Sequence, residues 1–244
     1  MTSTRNLLAY SIHIVRTGAF VATTRDPMLT MLSIGVEKLY KLTLGLIALD
    51  VNGQWPSAAV MKASGHKLGD MHQEVISELR QRTQSKSQYV RGLLAEVESD
   101  PVVIPVIDAL DMYGRRGRFY YLDQLGESPQ PVSPDDAWQK IELAALTDPD
   151  VAALYSRVNA NIGNHEMWNE FMLALNERIA VAVERIWIMI ASSGINHALG
   201  ETGTTFGFEV QPSAVGRQLG QSIHPRATAP DASPSAAESN FLDA

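Results

Sequence analysis

The chain reads as all-α, a helical bundle of about seven to nine helices closed by one long C-terminal core helix. Three observations carry that reading. Apolar residues recur every three or four positions through long stretches, as at Val36, Leu39, Leu42, Leu46 and Leu49. Helix starts are marked by Asp26-Pro27, Asp100-Pro101, Ser133-Pro134 and Asp148-Pro149. In each pair a side-chain oxygen can accept from free first-turn amides, and proline, lacking an N–H, loses nothing at that position. No segment shows the clean alternation of a half-buried strand. The only strand-like runs are PVVIPVI (101–107) and FYYL (119–122), and Pro105 argues against a central strand while leaving a kinked helix open.

Taken in order, the periodicity predicts helices at about 4–24, 27–50, 58–64, 66–84 and 87–98, then at about 101–114, 134–146, 149–160 and 165–199. The second starts at Pro27. The fourth resumes after Gly65-His66 with Leu68, Met71, Val75, Ile76 and Leu79 at helical spacing. The sixth ends at Gly114, a plausible left-handed cap, and Arg115 to Arg118 follow near its negative pole. An irregular segment then runs to the turn residues GESPQP (126–131). Ser133 gives the clearest start, since Asp135 and Asp136 add negative charge where the helix dipole favours it. The final long helix carries a broad apolar stripe through Trp168, Phe171, Met172, Leu175, Ile179, Val183, Ile186, Trp187 and Ile190. Met167, Ile188 and Met189 widen it, either for a second subunit or because the bundle buries this helix on most sides. After Gly200 the glycines and threonines read as a turn region.

Residues 1–210 are expected to form a single domain and 211–244 a disordered tail rich in proline, serine and alanine. Its apolar handles for a partner are scattered, such as Leu219, Ile223 and the Phe241-Leu242 pair.

At 244 residues and 45% hydrophobic, the chain can bury a substantial core. It has no cysteine, which excludes disulfides, thiolate metal sites and a cysteine nucleophile, and suits a reducing compartment. The N-terminus lacks the layout of a secretory signal, so a cytoplasmic location is expected. The most apolar stretch, 179–191, contains Glu184 and Arg185 and is too short for a bilayer span, so no membrane role is expected. A net charge of −7 argues against nucleic-acid binding by the whole surface, so any RNA contact must be local.

Two groups of residues could carry chemistry. Glu37 and Lys41 have the spacing of an ion pair on one helix face, and His66, at the start of a neighbouring helix, could bond to Glu37. Such a bond would fix two helices against each other or serve acid–base work. The second group is YGRRGRFYYLD (113–123), where Arg115, Arg116 and Arg118 alternate with Phe119, Tyr120 and Tyr121. Arginines that grip phosphates and rings that stack on bases are what a single-stranded RNA site needs. Its structural alternative has Arg118 paired with Asp123, Phe119 and Leu122 in the core, and Arg115 and Arg116 solvating a helix end. His66 and His72 are six apart, off one face, and Asn164-His165-Glu166 lacks the second histidine of HExxH, so no metal site is expected. There is no GxSxG elbow and no Gly-rich phosphate loop, and no cofactor is expected.

GVEKLYK, GHKL and RGRFYYLDQL together resemble bacterial proteins of the HEPN-like superfamily, over roughly residues 4–200. The resemblance implies an all-α bundle that usually dimerises and works in toxin-antitoxin or antiphage defence systems, in many members as a metal-independent ribonuclease. The family's ribonuclease motif is an arginine followed, after a gap of four to six residues, by a histidine. This chain departs from it: Arg5 to His13 and Arg157 to His165 each enclose seven residues, and Arg217 with His224 lies in the tail. The expectation is therefore a binding or regulatory protein of a defence or stress system, dimeric, with RNA or a protein as partner. One alternative is a metal-independent ribonuclease with a nonstandard site, built from Arg118, His66 and Glu37 or from Arg157 and His165. The other is a structural helical protein of a phage or mobile element.

Overall fold

A computed structural model describes residues 1–17, 21–63, 65–126 and 129–214. Among the described residues there are eleven α-helices, one short 3-10 turn and no strand. They are α1 (Thr2–Thr17), α2 (Val21–Asn52), α3 (Ala58–Ala63), α4 (Leu68–Arg82), α5 (Gln88–Ser99) and α6 (Val103–Arg115). The 3-10 turn Gly117–Phe119 follows, then α7 (Tyr120–Asp123), α8 (Pro134–Ala145), α9 (Pro149–Ala160), α10 (His165–Ile195) and α11 (Gly200–Val210).

The proline signals work at two sites as expected. Ser133 caps α8 through a reciprocal pair: its hydroxyl accepts from the Asp136 N–H at 2.9 Å, and the Asp136 carboxylate accepts from the Ser133 N–H at 3.3 Å. Asp148 accepts from the amides of Asp150 and Val151 at the start of α9. At Asp100 the side chain accepts from the Val102 N–H at 2.9 Å, but the chain makes a turn before α6 opens at Val103. Pro105 is then the third residue of α6, in the first turn where no N–H is needed, so PVVIPVI is helical. Asp26-Pro27 marks no start. Pro27 lies inside α2, and the turn before it is tied to the bundle by Arg25, which pairs with Asp135 of α8, and by the Asp26 carbonyl, which accepts from the Tyr113 hydroxyl.

The core draws on residues from Leu8 in α1 to Val210 in α11. Helix α1 packs on α2 and α10, α4 and α6 pack on each other and on α2, and α8 covers α6 with Trp138 and Ile141 buried. Helix α10 is central: Ile179, Val183, Ile186, Trp187, Met189 and Ile190 are all buried. Met189 thus belongs to the interior of this chain, whereas Trp168 is exposed near the start of the helix.

The segment after Gly200 is a helix rather than a turn region. Its glycines are interhelical contacts: a Cβ on Gly194 of α10 would stand 2.6 Å from the Gly203 carbonyl oxygen, and one on Gly207 would stand 2.5 Å from that of Ala191. Small residues let α10 and α11 approach backbone to backbone. The C-terminal carbonyls of α11 are satisfied from outside, Glu209 by Arg5 Nη1 at 3.0 Å and Val210 by Trp187 Nε1 at 2.5 Å. Pro212 is still buried, and the rest of the expected tail, from residue 215 with Arg217 and His224, lies outside the described residues.

Helix α10 also holds two ion clusters. Glu177 and Glu184, seven residues apart, both accept from Arg16 of α1. Arg178 and Arg185, one step round the helix, converge on Asp100 between α5 and α6, each with a contact of 2.5 Å. The Asp100 side chain is fully buried. Burial alone would raise its pKa, but hydrogen bonds from Arg178, the Val102 N–H and Arg185 outweigh that and hold it below the ordinary aspartate value. Among the described residues no helix is long and apolar enough to cross a membrane.

Candidate functional site

The turn that precedes α4 brings His66 to Glu37. Gly65 adopts φ +56°, a left-handed conformation suited to glycine, and its N–H donates to the Lys62 carbonyl. Leu68 is fully buried and fixes where the turn leaves the core. His66 Nδ1 then lies 2.6 Å from Glu37 Oε2, while Lys41 Nζ reaches Glu37 Oε1 at 2.7 Å. A carboxylate can only accept, so Nδ1 carries the proton in this bond and Nε2 is the nitrogen left to the solvent. Held in this tautomer, the half-exposed imidazole can take a proton at Nε2, with Glu37 stabilising the charge that develops.

The arginine bonded closest to this turn is Arg115. Its Nε meets Asp111 Oδ2 at 3.0 Å, and Asp111 Oδ1 accepts from the Gly69 N–H at 3.3 Å. Arg118 lies beyond the end of α6 and makes no bond to Glu37 or His66; its guanidinium stands 5.1 Å from the Phe119 ring centroid. Arg157 pairs with Glu170 at 3.4 Å, not with His165, which opens α10 beside Trp168. Arg5 is buried under α11, while His13 faces solvent. The structure therefore joins His66 with Glu37 and Lys41, and neither expected arginine is bonded into that group.

The second group forms a surface, but not as its structural alternative expects. Phe119 is 48% exposed and Leu122 67% exposed, so neither plugs the core. Asp123 is taken by the Gln130 side chain rather than by Arg118. The 3-10 turn and the single turn of α7 are too short to offer an apolar stripe, and their side chains splay outward. Tyr121, 55% exposed, donates to Asp135 at 3.2 Å and stands edge-on to Tyr120 with ring centroids 5.3 Å apart. Leu125 beyond them is 88% exposed. Arg115 is partly neutralised by Asp111, whereas Arg116 and Arg118 make no ion pair among the described residues. Arg116 and Arg118 thus bring two unneutralised guanidinium groups to the turn, that of Arg118 against the Phe119 ring.

One polar pair escapes sequence reasoning. His72 lies on the buried face of α4, between Leu68 and Ile76, and its Nδ1 is 2.7 Å from the hydroxyl of Tyr40, which is fully buried. Burial lowers the His72 pKa to about 4 and raises that of Tyr40. The available signal was a histidine in an apolar helical register, the same signal that a packed core histidine gives. Among the described residues no three His, Asp or Glu side chains gather as a metal site would need. No protein-family pattern, no curated protein and no solved structure matches the chain, so the HEPN-like resemblance rests on the residue patterns alone.

Proposed function

We propose that this chain is a cytoplasmic helical binding protein of a bacterial defence or stress system, acting as a homodimer on single-stranded RNA through the segment 115–121. The observation that carries this reading is a turn in which Arg116 and Arg118 make no ion pair among the described residues, the Arg118 guanidinium lies 5.1 Å from the centroid of the half-exposed Phe119 ring, and Tyr121 is exposed beyond it. Free guanidinium groups can neutralise phosphates and release counterions, and exposed rings can stack on unpaired bases. An overall charge of −7 confines such binding to a local patch. The resemblance to HEPN-like proteins supplies the setting and the dimer. The test is fluorescence anisotropy with a labelled single-stranded RNA. Wild type should bind, and Arg116→Ala/Arg118→Ala should bind at least tenfold more weakly with an unchanged melting curve; equal binding by the two refutes the assignment.

A second reading, metal-independent RNA cleavage, is favoured by the His66–Glu37 bond of 2.6 Å. It predicts cleavage of a total RNA pool that survives chelation and disappears in folded His66→Ala. A folded protein that binds RNA and leaves the pool intact supports the binding reading instead.

A further inference from the structure

The groove between α4 and the α5–α6 corner has no part in the RNA reading, and its chemistry is specific. It is open to solvent and offers about 440 Å³, within the range of small-ligand sites. His72 lines it. Tyr40 is fully buried, and His72 Nδ1 is the only partner of its hydroxyl among the described residues. The hydroxyl must therefore donate to Nδ1, which leaves the proton of the neutral imidazole on Nε2. Nε2 has no hydrogen-bond partner among the described residues and is not wholly enclosed, so on a residue that lines the groove it can donate only into that space. A donor of fixed direction is thereby presented by a residue that is itself 6% exposed.

The remaining walls define what such a donor could meet. Ile76, Val97 and Ile104 give apolar surface, and Ser77 and Gln73 add neutral polar groups. Arg80, the one cation on the lining, is held by Glu98 through contacts of 2.5 and 3.0 Å. The lining thus carries no net charge, and an anion entering it would meet Glu98 beside Arg80. A fixed N–H donor, three apolar side chains among neutral polar groups and a neutralised rim suit an acceptor oxygen on an uncharged body with an apolar face. We propose that this groove is a binding site for a small uncharged carbonyl compound of the amide, lactone or ketone class, whose oxygen accepts from His72 Nε2.

The groove also explains why a polar pair is buried at this point, since an apolar pair of similar size would fill the same core without needing satisfied hydrogen bonds. Tyr40 acts as a positioning residue: it fixes the tautomer and touches no ligand.

The test is an NMR titration of full-length, histidine-labelled protein with benzamide, benzoate and toluene. Benzamide should shift the His72 Nε2 resonance, leave His66 unchanged and bind with a Kd on the order of 1 mM, as its size allows. Benzoate and toluene should bind about tenfold more weakly, an effect of roughly 1.4 kcal/mol. Ile104→Trp, a change at a half-exposed wall, should abolish binding while preserving the fold. Tyr40→Phe should weaken benzamide and leave toluene unaffected, a split that simple loss of packing would not produce. An unmoved His72 resonance, toluene as tight as benzamide, or preferential binding of benzoate would each overturn the proposal.

Discussion

Asp100→Ala is the sharpest test of how the bundle is held. The fully buried carboxylate accepts from Arg178 twice, at 2.5 and 3.1 Å, from Arg185 at 2.5 Å and from the Val102 N–H at 2.9 Å. Its removal leaves two cations facing a cavity and an amide without its acceptor. Breaking a buried pair in this way costs about 3–5 kcal/mol. Asp148 at 3.3 Å and Glu96 at 3.9 Å can recover part of the interaction, and Arg185 is only partly buried, so the expected loss is near 3 kcal/mol. Asp100→Asn keeps the Val102 contact and the shape but loses the charge, and should cost about half as much. Urea denaturation followed by circular dichroism measures both. Because the native carboxyl lies below its ordinary value of 3.8, its stabilisation is complete above that pH and fades as pH falls through the native value, a limb that Asp100→Asn should lack. A loss below about 1 kcal/mol for Asp100→Ala would show that the arginines are already solvated and that the cluster does not tie α5 and α6 to α10.

Three further outcomes follow from the same geometry. His72 titrates in the opposite sense to a stabilised cation: its native pKa is depressed from 6.5 to about 4, so the unfolded state takes up the proton first. Stability should be full above about pH 6.5 and fall by roughly 3 kcal/mol by about pH 4, at about 1.4 kcal/mol per unit. Tyr40→Phe/His72→Leu should flatten that window in a pH series of urea melts, and an undiminished slope would place its origin elsewhere. Gly207→Ala puts a methyl group 2.5 Å from the Ala191 carbonyl oxygen and should destabilise by about 1–3 kcal/mol through separation of α10 and α11. A thermal melt unchanged from wild type would contradict that contact. Ser133→Ala removes the cap of α8 and should cost about 1 kcal/mol in the same melts, where a null effect would mean the reciprocal bonds add nothing net.

The helices were legible where one local rule acted with the packing. Ser133 and Asp148 start helices as their side-chain chemistry requires, and the spacing from Leu68 to Leu79 gives the buried face of α4 directly. Asp26-Pro27 misleads because the turn before it is held by contacts distant in sequence, Arg25 with Asp135 and the Tyr113 hydroxyl with the Asp26 carbonyl, which a local start signal of about 1 kcal/mol does not register. Helix α11 is hidden for a related reason: Gly203 and Gly207 lower local helix propensity, and their role appears only when α10 lies against them. The ion clusters on α10 were written in the sequence as Glu177-Arg178 and Glu184-Arg185, a repeat of seven, but their partners, Arg16 and Asp100, lie far away along the chain. At the site, spacing suggested that Glu37 could meet His66 and the structure brings them together. Spacing could not show that Arg118 stays outside, because a short 3-10 turn sets the direction of that side chain.

The most direct test of the RNA reading is the salt dependence of binding to a single-stranded RNA, measured for wild type and for Arg116→Ala/Arg118→Ala across a range of salt concentrations. Each phosphate contact on a single strand contributes about 0.7 to the slope of log K against log salt. If Arg116 and Arg118 each hold one phosphate, the double variant should have a slope smaller by about 1.4, with weaker binding at every concentration. An identical slope, or wild-type protein that does not bind at low salt, would contradict an RNA contact at this turn.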